Sequence, residues 1–244
     1  YRCGMSCQNL SVTLDGWKTQ AANLGKNNID LDSLDANQIY NEMGRDAITT
    51  LTAAPRNWTI NGGQFAPGCI SPSYYVSEWD MSKSGVNNTE LITNLIGNNF
   101  TVEWENLANS SNKGIVTTAS GTAASPFKLT GLTAGAKYRI IAYSSSATNK
   151  LTGLCADKAD KQRLTKVTQW GTTKWTSLDK AFFGCGNMDV TATDKPDLTV
   201  VTDLSNMFKN CVALVYNTSV NDWDVSHITN MNSMFSQATK FNQP

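Results

Sequence analysis

Histidine is almost missing from this chain: His227 is the only one in 244 residues. Six cysteines are present, yet no Cys-x-x-Cys occurs. The ligand spacings of a zinc site are therefore lacking, and no Ser/His/Asp set can be assembled convincingly around a single imidazole. Charge is scarce as well. Only 16% of residues are charged, and 20 basic residues balance 20 acidic ones to a formal net charge of zero. That argues against a nucleic acid or an anionic membrane as partner, since both need a clustered basic surface. No apolar run approaches the roughly 20 residues that span a bilayer, so no membrane insertion is expected within this segment. A starting Met and a signal peptide are also missing, and Tyr1 is expected to be a cleavage or fragment boundary.

What is there points to a secreted, β-rich protein. Asn, Ser and Thr are plentiful, and 40% of residues are hydrophobic, enough for a packed core. The length suits two modest domains. An even count of cysteines in so weakly charged a chain favours an oxidising compartment.

An apolar template recurs near the C-terminus. Leu178 precedes Ala181 and Phe182; Leu204 precedes Met207 and Phe208; Met231 precedes Met234 and Phe235. The anchors lie 26 residues apart (178 to 204) and then 27 (204 to 231). Three residues past each Phe come Cys185, Cys211 and Ala238; three further come Met188, Leu214 and Phe241. Trp175, Val201 and Ile228 stand three before the anchors. The i, i+3, i+4 spacing predicts a turn or two of helix, for example over Leu178–Phe183. MDVTAT and LVYNTSV read as short strands. A helix and a strand per period of this length indicate a leucine-rich-repeat solenoid, in which each coil buries its apolar ladder against the next.

The motif W-D-V-S-x-[IV]-T-N-M-x-x-M-F-x-x-A-x-x-F-N-Q, here Trp223–Gln243, resembles the repeat of BspA-type leucine-rich-repeat surface proteins. The resemblance directly covers about residues 164–244. It implies an extracellular, non-catalytic repeat scaffold with a role in adhesion.

At the other end, Cys7-Gln-Asn-Leu10 parallels Cys185-Gly-Asn-Met188 and Cys211-Val-Ala-Leu214, so YRCGMSCQNL looks like the tail of such a repeat. Alternatively, Cys3 takes the cysteine slot. Ala36, Ile39, Tyr40, Met43, Ala47, Ile48 and Leu51 follow helical periodicity and predict a helix over about Ser33–Ala53, capped by Ser33 or Asp35. A shorter helix is expected around Asp15–Leu24. N-W-T-I-N-G-G reads as a strand with a glycine turn and is similar to the W-T-I-x-D-G-G of the family's solenoid-closing unit. Both termini read as cut within a solenoid.

FAPGCISPS, residues 65–73, reads as a linker. YYVSEWD, NNFTVEWEN, KGIVTT, SPFKLTGL and AKYRIIAYS are strand-like and predict an all-β sandwich. Leu129-Thr-Gly-Leu-Thr-Ala-Gly-Ala-Lys-Tyr138-Arg-Ile is like a turn of fibronectin type III and PKD-like domains, with Leu132 and Tyr138 at a corner. The BspA-type family often places a PKD-like module before Q-W-G-x-x-x-W-x-[ST]-[ML], here Gln169–Leu178. The chain departs from that module's V-D-W-G-D-G turn, having Val102-Glu-Trp104-Glu-Asn-Leu.

Few residues carry chemistry. Asp30, Asp32 and Asp35 lack the Gly and Glu of a calcium loop and read as helix-capping or solvated groups. Asp222 and Asp224 read as loop residues, and His227 as a surface residue. Glu103 and Glu105 share one strand face and read as an ordinary exposed turn rather than a glycosidase pair. Cys185 and Cys211 fall in the same slot of adjacent coils, either bonded to each other or as two buried thiols. Cys3 with Cys7 and Cys69 with Cys155 are the natural remaining pairs. Trp170, Trp175 and Tyr216 could form a sugar platform, though packing explains them as well.

The expectation is a mainly β chain with short helices: the end of a leucine-rich-repeat solenoid with a helical closing unit (1–64), a PKD-like or fibronectin-like β-sandwich (65–163), and the start of a second solenoid (164–244). No catalytic residue, metal or cofactor is expected. Localisation is extracellular or at the cell surface, with protein or glycan as partner in a structural or adhesive role. Alternatively, the chain is a filament subunit stacking head-to-tail, with Tyr1 and Leu10 of one copy near Phe241 and Pro244 of another, or a fragment of a carbohydrate-active enzyme.

Overall fold

The computed structural model describes residues 18, 30–40, 48, 51–53, 59–65, 70, 73–144, 148, 150–215 and 217–241. The chain divides into two compact units, Tyr1–Ser71 and Pro72–Pro244. It is mainly β, with almost no helix among the described residues.

In the first unit, β1 (Asp30–Tyr40) pairs in parallel with β2 (Thr59–Phe65), from Asp30 opposite Thr59 to Tyr40 opposite Phe65. The strand expected at N-W-T-I-N-G-G is therefore present, shifted by two residues. The helix expected over 33–53 is not there in its first half: residues 33–40 belong to β1. Asp, Ser and Asn are poor helix formers, and pairing with β2 gives part of this backbone a partner, which outweighs a weak local preference. Ile48, Leu51 and Thr52 remain helical, with the Thr52 hydroxyl donating to the Ile48 carbonyl at 2.9 Å. Of the helix expected at Asp15–Leu24, Lys18 is described and is helical.

The second unit is built on β3 (Tyr75–Asp80), β4 (Leu91–Ile92), β5 (Leu95–Asn106), β6 (Asn109–Gly121), β7 (Lys128–Leu129), β8 (Lys137–Tyr143), β9 (Lys150–Leu154), β10 (Leu164–Gln169) and β11 (Asp189–Val190). Seven of these make one mixed sheet in the order β11-β10-β3-β8-β5-β6, with β9 also on β5. All its pairs are antiparallel except β10–β11. β4 and β7 form a separate two-stranded ribbon. The expected sandwich is thus a mixed seven-stranded sheet with a small ribbon. Its long strand β5 changes partner along its length: Leu95–Asn98 pair with β9 and Thr101–Asn106 with β8. The change falls at a register shift between Gly97 and Phe100, where Asn99 takes a φ of 50°. A bulge of this kind lets one strand serve two directions.

The residues on both sides of the expected border at 163/164 lie in one compact unit, Pro72–Pro244. β10 lies antiparallel on β3, in the middle of the sheet, and β11 of the C-terminal region pairs with β10. One apolar core runs from Tyr75 on β3 to Met234. Leu132 and Tyr138, expected at a corner between sheets, are both buried, and the Tyr138 hydroxyl accepts the Thr133 N–H at 2.8 Å and donates to Asn112 Oδ1 at 2.9 Å.

Arg163, only 1% exposed, fastens the segment before β4. Its guanidinium donates to the carbonyls of Lys83 (3.1 Å), Asn87 (2.6 Å) and Glu90 (2.7 Å), and pairs with Asp160 at 3.4 Å. Asp160 in turn accepts the N–H groups of Val86 and Ile92. Gly85 leaves the room: a Cβ there would lie 2.3 Å from the guanidinium carbon. A lysine cannot reproduce this fork. Arg163→Ala is expected to cost on the order of 3–5 kcal/mol in thermal or denaturant unfolding, because Asp160 is left buried and unpaired. Lys128→Ala, which breaks the solvent-screened pair with Glu90, is expected to leave the unfolding midpoint essentially unchanged.

Candidate functional site

The three repeats form three stacked coils. Backbone N–H groups of one coil donate to carbonyls of the next: Lys180 to Ser205, Phe182 to Met207 and Gly184 to Lys209. The same ladder continues from Leu204 to Asn230, Asn206 to Asn232, Phe208 to Met234 and Asn210 to Ser236, at 2.8–2.9 Å. The first coil is covered on its near side by β9 and the residues after it: Leu154 N–H donates to Ser177, Ala156 N–H to Lys180, and Thr176 N–H back to Thr152.

The rings follow the ladder. Phe182 and Phe208 stack at 5.4 Å with an interplanar angle of 11°, and Phe208 and Phe235 at 5.5 Å and 12°. Phe241 continues the column at 4.2 Å from Phe235. Leu178, Leu204, Met207 and Met234 are buried beside them, whereas the third anchor, Met231, is 44% exposed. Trp170 and Trp223, each eight residues before an anchor, meet edge to face at 5.4 Å.

The short helices expected in each coil are replaced by consecutive tight turns. Ala181 N–H bonds Leu178, Met207 bonds Leu204, and Met234 bonds Met231; a second set links Cys185 to Phe182, Cys211 to Phe208, and Ala238 to Phe235. In every coil the residue two past the anchor has a positive φ (Lys180 55°, Asn206 55°, Ser233 58°). So has the residue six past it (Gly184 76°, Asn210 64°, Gln237 61°). Such a φ at the third position of a turn ends helix propagation and reverses the chain. The i, i+3 spacing is that of turns closed between residues three apart. MDVTAT keeps a strand at β11, but none of the described residues of LVYNTSV is in a strand: Thr218–Asp222 is a 3₁₀ turn capped by Asn217. The Asn217 amide also reaches back one coil to the Val190 and Ala192 carbonyls, a link the repeat pattern does not reveal.

The last described coil leaves its side of the ladder open. Met231, Ser233, Phe235 and Gln237 occupy the positions whose N–H groups donate forward in the earlier coils. Here those four backbone N–H groups donate to no acceptor among the described residues.

The remaining candidates are scattered. His227 is exposed. Glu103 and Glu105 sit within β5, half-buried, and not in an exposed turn; Glu103 accepts the Tyr143 hydroxyl at 2.7 Å and Glu105 pairs with Arg139. Asp224 caps a loop by accepting the Ser226 N–H. Asp30, Asp32 and Asp35 lie in β1, so the helix-capping reading does not hold. Trp170 and Trp175 are fully buried and cannot serve as a sugar platform. Tyr216, Tyr1, Leu10, Pro244, Cys3, Cys7 and Cys69 lie outside the described residues. Among the described residues, no group of His, Cys, Asp and Glu is placed to hold a metal ion, and no helix is long and apolar enough to cross a membrane.

Cys155, Cys185 and Cys211 are buried free thiols. The Cys211 thiol donates to the Phe182 carbonyl at 3.0 Å. Burial pushes Cys211 up to about 12. Burial also raises Cys185 well above the ordinary thiol value, with its neighbour Cys211 adding to the effect.

Residues 155–244 match a family described as a Mycoplasma protein of unknown function, DUF285. The matched span opens at the end of the rung that covers the first coil and takes in all three coils. No curated protein matches the chain, and no solved structure matches it.

Phe208→Ala removes the middle ring of the column, and such truncations cost about 3–5 kcal/mol. A fall in melting temperature of roughly 6–20 °C is expected, at about 2–4 °C per kcal/mol. The thiols give a second expectation. Above the ordinary cysteine value the unfolded chain ionises while Cys185 and Cys211 stay protonated in the fold. Stability is therefore expected to fall as pH rises towards about 12. Mass spectrometry after alkylation at mildly alkaline pH should find both residues unmodified in the native protein and modified in denaturant.

Proposed function

We propose that this chain is a segment of a non-catalytic, extracellular surface protein of the BspA-type leucine-rich-repeat kind. Its coils form the start of a solenoid that offers a repetitive surface to a protein or glycan. One observation carries the reading: three coils share a single backbone ladder and a single phenylalanine column. Each rung is fixed by the next, so side chains leaving the coils recur at regular intervals on a rigid support. Free histidine and metal clusters play no part in such a scaffold. The N-terminal unit, with its parallel β1–β2 pair, is assigned by sequence likeness to the end of another solenoid. The sheet of the second unit stands in the place of a PKD-like module.

The test is binding of the intact chain to panels of immobilised glycans and extracellular-matrix proteins. Saturable binding is expected. It should be lost on charge reversal of the coil lysines Lys195, Lys209 and Lys240, with the melting temperature unchanged. Turnover of a glycan, abolished by changing one carboxylate, would overturn the reading in favour of an enzyme fragment.

A second reading is a subunit of an extracellular filament, in which a coil of another copy covers Met231, which is 44% exposed. Electron microscopy is expected to show linear assemblies that Met231→Lys disperses into monomers. Monodisperse particles at high concentration would remove this reading and leave the first.

A further inference from the structure

A cleft of about 430 Å³ opens where the end of the sheet meets the first coil. On the sheet side it is lined by Tyr74, just before β3, by Tyr143 and Ser144 at the end of β8, and by Lys150 and Thr152 of β9. The coil side supplies Thr172, Thr173, Lys174 and Thr176. Gly171 makes the junction possible. Its φ of 70° and its missing Cβ let the coil lie on the Ser73–Tyr74 backbone, where a Cβ would come within 2.4 Å of the Ser73 carbonyl. Thr172 N–H then bonds that carbonyl at 3.0 Å.

Three properties of this cleft define its ligand. Its base is aromatic: Tyr74 and Tyr143 stack at 3.9 Å and 11°, and the Tyr143 hydroxyl is held by Glu103, which fixes the ring. A flat, anchored tyrosine face suits the C–H face of a sugar ring. Its wall is hydroxylic. Thr152 and Thr176 line it and donate their hydroxyls to the carbonyls of Ile96 and Thr152, which leaves those oxygens the capacity to accept. Thr172 and Thr173 have no side-chain partner among the described residues. Its charge is one-sided. Among the described residues, Lys150 and Lys174 form no ion pair and no carboxylate lines the cleft. In a chain with no net charge, that is a local excess of positive charge. The lining provides neither an arginine fork nor a helix N-terminus, the usual means of gripping a phosphate.

We propose that this cleft binds a carboxylated saccharide, a uronate-type ring lying on Tyr143 with its hydroxyls on the threonine wall and its carboxylate between Lys150 and Lys174. The volume suits roughly one or two sugar rings, at the small end of ligand pockets. The proposal stands apart from the repeat reading, because the cleft is formed by the sheet and the first coil and needs no coil stacked beyond them.

The test is calorimetric titration of the intact chain with a galacturonate trisaccharide, its neutral galactose counterpart and inorganic phosphate. The acidic sugar is expected to bind about tenfold more tightly than the neutral one, a difference of about 1.4 kcal/mol. The gap should shrink as salt rises from roughly 50 mM to roughly 0.5 M. It should vanish in Lys150→Met/Lys174→Met, whose unchanged melting temperature reports an intact fold. The proposal is overturned if the two sugars bind alike, if neither binds at millimolar concentration, if the double variant keeps the preference, or if phosphate displaces the sugar at equal concentration.

Discussion

A backbone ladder between successive coils is the constraint on which the C-terminal half depends. Each coil is a string of tight turns, and turns by themselves satisfy only some of their N–H and C=O groups. The rest must find partners on the coil above or below, which requires every coil to present its donors at the same height. The paired positive-φ positions accomplish this, at Lys180 and Gly184, Asn206 and Asn210, Ser233 and Gln237. Only two of these six are asparagine and one is glycine, so the left-handed conformation is held elsewhere against an intrinsic cost. The ladder and the ring column supply what offsets it.

The same constraint explains why the sheet and the coils share one core. β9 covers the near side of the first coil, while its other edge is bonded to β5. β10 and β11 extend the sheet directly into the coil region. The first coil therefore begins on an already ordered surface, and no flexible joint separates the sheet from the stack. Trp170 and Trp175 fill the junction by packing against Tyr75 of β3, at 6.4 Å and 5.5 Å.

Periodicity made the repeat legible from residues alone. Leu178, Leu204 and Met231 are equivalent, and Phe182, Phe208 and Phe235 do share one column. The conformation was not legible, because i, i+3, i+4 spacing arises both from a helix and from turns closed three residues apart. The asparagines at 206 and 210 were a signal for positive φ, and Gly184 marked the same slot. Asp30–Tyr40 misled for a related reason: Ala36, Ile39 and Tyr40 fit a helix, while the deciding partner, β2, lies far along the chain. The pairing of β10 with β3 across position 163 was not legible either, because β10 reaches the sheet from the far side of a loop. As for the cleft, Tyr74, Tyr143, Lys150 and Lys174 are distant in sequence and only topology unites them.

The ladder carries donors in both directions. Lys180, Phe182, Gly184, Leu204, Asn206, Phe208 and Asn210 donate away from the sheet, while Thr176, Thr229 and Asn230 donate back towards it. The middle coil is thus gripped from both sides at once, and lifting it out would strand amides and carbonyls on two neighbours together.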